Sequence, residues 1–107
     1  MFYCILVFLA VYVKTSSEIN LNSGKVPGVL IEKNCDYYGN DLVYTNNVPR
    51  LDICVEMCWN NQNCTNFIFK PTKMACLLKH TATRKALLAS RTNSYTSVCG
   101  YIEACLP

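Results

Sequence analysis

The chain has 107 residues, eight cysteines, one histidine and a charged fraction of 16%. That length allows one small domain and excludes two-lobed or large-barrel enzymes, while a hydrophobic content of 51% excludes global disorder. Ten basic against seven acidic side chains give a net charge of +3, too mild to require a nucleic-acid partner.

Residues 2–13 read FYCILVFLAVYV, an uncharged run followed by Lys14 and the small polar residues Thr15, Ser16 and Ser17. This outline predicts a secretory signal peptide over residues 1–17, with cleavage after Thr15 or Ser17 and Ser17 chosen as the boundary. The run is short for a membrane span, which needs about 20 apolar residues. Membrane insertion is therefore not expected. A buried strand and an uncleaved anchor are the other readings. Residues 18–28 are polar and broken by Gly24, Pro27 and Gly28, as a flexible lead-in would be. The domain itself is expected over residues 29–107.

Val29, Leu30 and Ile31 form a short strand candidate. Around Cys35, the run DYYGNDLVY places a Gly39-Asn40 turn signal between apolar segments, which predicts two short strands joined tightly. The clearest element is 50–60, where Leu51, Cys54, Val55 and Cys58 recur at i, i+3, i+4 and i+7 and define one apolar helix face. Pro49 is read as a first-turn proline. Thr65 to Phe69 and Ala75 to Leu78 have the composition of two strands in hairpin position around Pro71. Thr81 to Ser90 reads equally as a helical turn or a long loop, and a last strand is expected from Ser94 to Ile102.

Without residues 1–17 the chain keeps seven cysteines, nine basic and seven acidic side chains, for a net charge of about +2. A secreted domain of this size commonly adds disulfides because a small core buries too little surface. Structural zinc wants matched pairs of closely spaced cysteines, and only Cys54 and Cys58 are close, with His80 distant. A redox site wants Cys-x-x-Cys, which is absent. Spacing alone leaves the pairing open.

From Cys35 onward, the segments CDYYGNDL, LDICVEMCWNNQNCTNFIFKPTKMACLLK and SVCGYI resemble the PAN/apple domain family. The resemblance implies an α+β fold, a small disulfide-rich domain with one central helix packed on an antiparallel sheet. It also implies three disulfides, Cys35 to Cys99, Cys54 to Cys76 and Cys58 to Cys64. Cys105 lies outside that pattern. An odd cysteine predicts an interchain disulfide, and with it a disulfide-linked homodimer, or a free or capped thiol, or a rearranged internal bond.

Charge is uneven. Residues 18–69 carry net −3 and residues 70–107 net +5. Lys70, Lys73, Lys79, Arg84, Lys85 and Arg91 are the candidate patch for a sulfated glycan or an acidic protein, against the plainer reading of an ordinary solvated surface. Asn63-Cys64-Thr65 is a candidate glycosylation sequon with a cysteine in its middle position. His80 has no nucleophile or paired carboxylate for a companion, so no enzyme activity and no cofactor are expected. Together these observations predict a secreted, non-enzymatic module that recognises an extracellular protein or glycan. Its rivals are a secreted antagonist of a protease, receptor or platelet adhesion, inserting the 81–91 segment into its target, and a structural component crosslinked through Cys105.

Overall fold

The computed structural model describes residues 28–106. The expected leader, and the lead-in apart from Gly28, lie outside the described residues. Five strands form one antiparallel sheet: β1 (Val29–Tyr37), β2 (Asp41–Thr45), β3 (Asn66–Lys70), β4 (Ala75–Lys79) and β5 (Arg91–Ile102), in the order β1-β5-β3-β4-β2. Helix α1 (Leu51–Trp59) covers one face, and the short helix α2 (Arg84–Ala89) lies on the other.

Helix α1 follows from its apolar stripe. Cys54, Val55 and Cys58 are fully buried and Leu51 packs beside them, while Asn60 beyond its last turn is exposed. Pro49 precedes the N-cap residue Arg50 instead of opening the helix, and Arg50 makes no side-chain cap. The Arg50 guanidinium instead reaches the Asp52 carboxylate at 3.0 Å, placing a negative charge in the first turn, where the helix dipole favours it.

The hairpin expected around Pro71 forms as β3 and β4, closed by a 3-10 turn over Pro71–Lys73 with Met74 in the left-handed region. Strand alternation divides its side chains. Phe67, Phe69 and Leu78 face α1, whereas Ile68 and Leu77 face α2. Gly100 is required where β5 passes Phe67, because a Cβ there would stand 2.5 Å from the ring and 2.7 Å from the Leu30 carbonyl oxygen.

The tight pairing expected across Gly39-Asn40 does not form. Both residues have positive φ, as the turn signal required, yet β1 and β2 occupy opposite edges of the sheet. Backbone bonds from Tyr38 to Ser90 and from His80 to Asn40 carry the link across to β4. β1 also runs well past Ile31, to Tyr37. The open segment 81–90 resolves as α2 flanked by short connections. The Thr83 hydroxyl caps it by accepting from the Ala86 N–H at 3.1 Å, and Leu87 is its buried anchor. It is not a protruding loop.

Candidate ligand-binding site

β5 pairs regularly with β1 up to Lys33 opposite Val98, and pairing resumes with Cys35 opposite Asn93. Residues 94–97 therefore face Asn34 alone, which adopts a left-handed φ of 60°. The mismatch makes a wide bulge that lifts residues out of the ladder. Ser94 Oγ and Ser97 Oγ close its base at 3.1 Å, and Tyr95 projects from its tip, 87% exposed. The adjoining hairpin turn supplies Pro71 and Thr72. Between turn and bulge lies a cleft of about 270 Å³, with Lys33, Asn34, Thr72, Tyr95, Thr96 and Ser97 among its lining residues. Lys70 Nζ borders it, donating to the buried Ser97 Oγ at 3.4 Å, and Lys73 belongs to the same turn as Thr72.

The six expected basic residues do not converge. Lys79 is buried at 2% exposure, its ammonium donating to the Gly39 carbonyl at 2.8 Å and paired with the Asp41 carboxylate, so it leaves the candidate patch. The reason is register, since β2 sets Asp41 opposite Lys79. Arg84 lies over the Tyr101 ring at 5.8 Å and donates to the Leu106 carbonyl at 3.2 Å, holding the C-terminal segment. Arg91 pairs with Glu32, and that hydrogen bond holds the Glu32 carboxyl below its ordinary value. Lys85 is exposed on α2, away from the cleft. Of the expected set, the structure brings together only Lys70 and Lys73. Sequence reasoning missed Lys33, Tyr95 and Ser97, although the hydroxyl-rich run TNSYTS was a sign that this part of β5 would not be a regular strand.

On the α2 side, Leu30, Ile31, Glu32, Tyr37, Leu88 and Tyr101 line a second hollow of about 300 Å³. Burial first, then the nearby Glu32 carboxylate, pushes the Tyr37 hydroxyl up to about 12. Because Glu32 is spent on Arg91, this hollow offers little net charge. The two cavities thus differ in chemistry, one cationic and hydroxylic and the other aromatic.

The cysteines join as Cys35–Cys99, Cys54–Cys76 and Cys58–Cys64, with Cα separations of 5.6, 5.5 and 5.2 Å. Two of these bonds fix α1 to β4 and to the segment entering β3, and the third lies on the α2 side of the sheet. Cys105, expected as an interchain or free thiol, sits in a 3-10 turn (Glu103–Cys105), buried and disulfide-bonded. Being bonded, it is not a free thiol, and the turn places it in the core beside α1.

Among the described residues, Glu32, Cys35 and Cys99 come close enough to suggest a metal site, but the disulfide leaves no thiolate to ligate. His80 Nδ1 lies 2.7 Å from the Asn63 carbonyl. A carbonyl only accepts, so Nδ1 carries the proton and the ring ties β4 to the bend after α1. Asn63 is exposed at that bend, while the Thr65 hydroxyl of the same sequon is buried against Asn66 and Thr81.

Disulfide-stapled α+β domains with a single helix clamped to an antiparallel sheet form a recognisable class. Residues 30–105 match the PAN domain, and the chain belongs to that family. The solution structure of the two N-terminal apple domains of Toxoplasma gondii microneme protein 4 is similar in fold, with a TM-score of 0.53 and 14% identity. The likeness covers 67% of this chain and 43% of that one. No curated protein matches. PAN/apple domains bind proteins or carbohydrates, are generally non-catalytic and are typically extracellular. Among the described residues no helix is long and apolar enough to cross a membrane.

Proposed function

We propose that this chain is secreted and acts outside the cell as a non-enzymatic adhesion module, gripping an extracellular protein or glycan at the cleft between the β5 bulge and the hairpin turn. The observation that carries the reading is electrostatic. Lys33, Lys70 and Lys73 make no ion pair with a described residue, whereas Arg50, Lys79 and Arg91 are each neutralised by a carboxylate. Like charges on one part of a surface without counter-charges repel one another, and a complementary partner relieves that repulsion. Secretion is supported by the leader-like run before Lys14 and by a cysteine framework suited to an oxidising compartment. Glycosylation at the exposed Asn63 belongs to the same reading.

The antagonist alternative draws less support, because the segment meant to enter a target is the anchored helix α2. A covalent homodimer or crosslinked structural role through Cys105 draws less support, since that sulfur is buried in the core beside α1. The test is an array of extracellular matrix proteins and glycans probed with the oxidised chain secreted from eukaryotic cells. Retention on at least one class of ligand is expected, and a chain that reaches the medium and binds nothing on either array refutes the proposal.

A further inference from the structure

Resting on that recognition reading, we infer that the cleft at the bulged end of the sheet takes a sulfated saccharide, with Lys33, Lys70 and Lys73 facing its sulfate groups and the Tyr95 ring carrying the flat face of a sugar. Of the eight basic residues described, three are ion-paired, and Arg84 is committed to backbone carbonyls and the Tyr101 ring. Four lysines remain: Lys33 lines this cleft, Lys70 donates to its Ser97, Lys73 belongs to the turn that supplies its Pro71 and Thr72, and Lys85 lies on α2. None of its lining residues is acidic. Positive charge is therefore denser at this end of the molecule, since three of the other cations are neutralised by carboxylates.

The rest of the cleft selects among anions. All three cations are ammonium groups, which act as point charges toward an oxyanion without the bidentate fork of a guanidinium. Asn34, Thr72 and Thr96 offer amide and hydroxyl groups of the kind that exchange hydrogen bonds with sugar hydroxyls. Tyr95 stands at the rim with 87% of its surface in water. An exposed aromatic beside amide and hydroxyl groups suits the C–H face of a pyranose, which buries apolar surface while its hydroxyls stay wet. At about 270 Å³ the hollow is near the lower limit for small-ligand pockets, enough to seat part of a saccharide but not a helix.

Titration calorimetry of the full oxidised chain with a heparin-derived hexasaccharide and its desulfated counterpart tests the inference. The sulfated form is expected to bind at least tenfold more tightly, with affinity falling steeply as salt rises. The triple change Lys33→Gln, Lys70→Gln, Lys73→Gln should weaken binding about tenfold or more and flatten the salt dependence. Tyr95→Ala should weaken it several-fold at every salt concentration with the slope unchanged, because stacking is not screened. Lys85→Gln should stay within about twofold of the parent. Lys33, Lys73, Lys85 and Tyr95 are exposed and Lys70 is half-buried, and an unchanged disulfide map and near-ultraviolet circular dichroism confirm folding.

Equal affinity for both saccharides, a triple variant no weaker than Lys85→Gln, a silent Tyr95→Ala or tighter binding of an acidic peptide each overturns the inference. A matrix protein that the triple variant binds as well as the parent does sinks the saccharide assignment and leaves the recognition reading standing. Absence of any ligand on both arrays sinks the two together.

Discussion

The face of the sheet that meets α1 and the face that meets α2 are closed by different means. Against α1, the contact is apolar and stapled by two disulfides from adjacent turns of the helix, with Phe67 seated on Gly100. On the α2 side the cover is a six-residue helix and a C-terminal segment, joined by Leu87, Leu106 and the Arg84 guanidinium. A helix that short does not persist alone in water, so its order comes from a cap, one buried leucine and the tail it holds. That second face also buries Asn66, whose Nδ2 has no hydrogen-bond partner among the described residues. The contrast teaches that one small sheet can be covered covalently on one side and by adaptable contacts on the other.

Disulfide removal tests this division most severely. In the chain-entropy treatment, replacing Cys35 and Cys99 by Ala, across a separation of 64 residues, should cost about 4.3 kcal/mol. Replacing Cys54 and Cys76, separated by 22, should cost about 3.4 kcal/mol. Denaturant unfolding of both pairs measures the order. A larger loss at Cys54–Cys76 would show that fastening the helix outweighs loop length.

Leu87→Ala should follow at about 3 kcal/mol, as deletion of a fully buried leucine with partial collapse of the site. Urea midpoints would report it, and a loss under about 1 kcal/mol would mean that α2 contributes little to closing its face. On the opposite face, Gly100→Ala forces the Phe67 ring and the Leu30 carbonyl apart and should cost about 2 kcal/mol. A neutral result would show that the sheet yields at that crossing more easily than the contact distances imply.

Protonation separates the faces more gently. Tyr37 has its hydroxyl raised to about 12, so its contribution is complete below the ordinary tyrosine value near 10 and disappears as pH climbs through about 12. Stability should fall across that window, and Tyr37→Phe should remove this part of the slope. A variant whose alkaline profile matches the parent would deny Tyr37 that role. The smallest effect concerns Glu32, whose carboxyl is lowered by Arg91. Its contribution is present above the unfolded carboxylate value near 4.3 and is lost as pH falls through the lower folded value. Both partners are substantially exposed, so Glu32→Gln should change the acid limb only slightly. A large change would reveal coupling from the ion pair into the aromatic hollow.

The sequence made α1 legible because four apolar positions at helical spacing admit one arrangement, and the β3–β4 hairpin because a proline turn separates two strand-like runs. It did not reveal the partner of β2. The Gly39-Asn40 signal specifies two left-handed residues, which the structure contains, but leaves the next strand's direction to distant competitors such as β4. The candidate patch failed for a related reason. Lys79 and Asp41 lie 38 residues apart, and only register brings them together. Lys33 entered the cleft unseen because it belongs to the acidic half of the chain, where local charge gave no sign of a cationic site.

Pairing of Val29 with Ile102 brings the start of β1 beside the end of β5. Ser97 lies five residues back along β5, about 17 Å at the usual strand rise. The start of β1 and the end of β5 therefore lie together, and the lysine-rimmed opening stands well away from them along the strands. Tethered to a bead, a surface or another polypeptide, the domain would keep its mouth clear, as a hand does when it is held by the wrist.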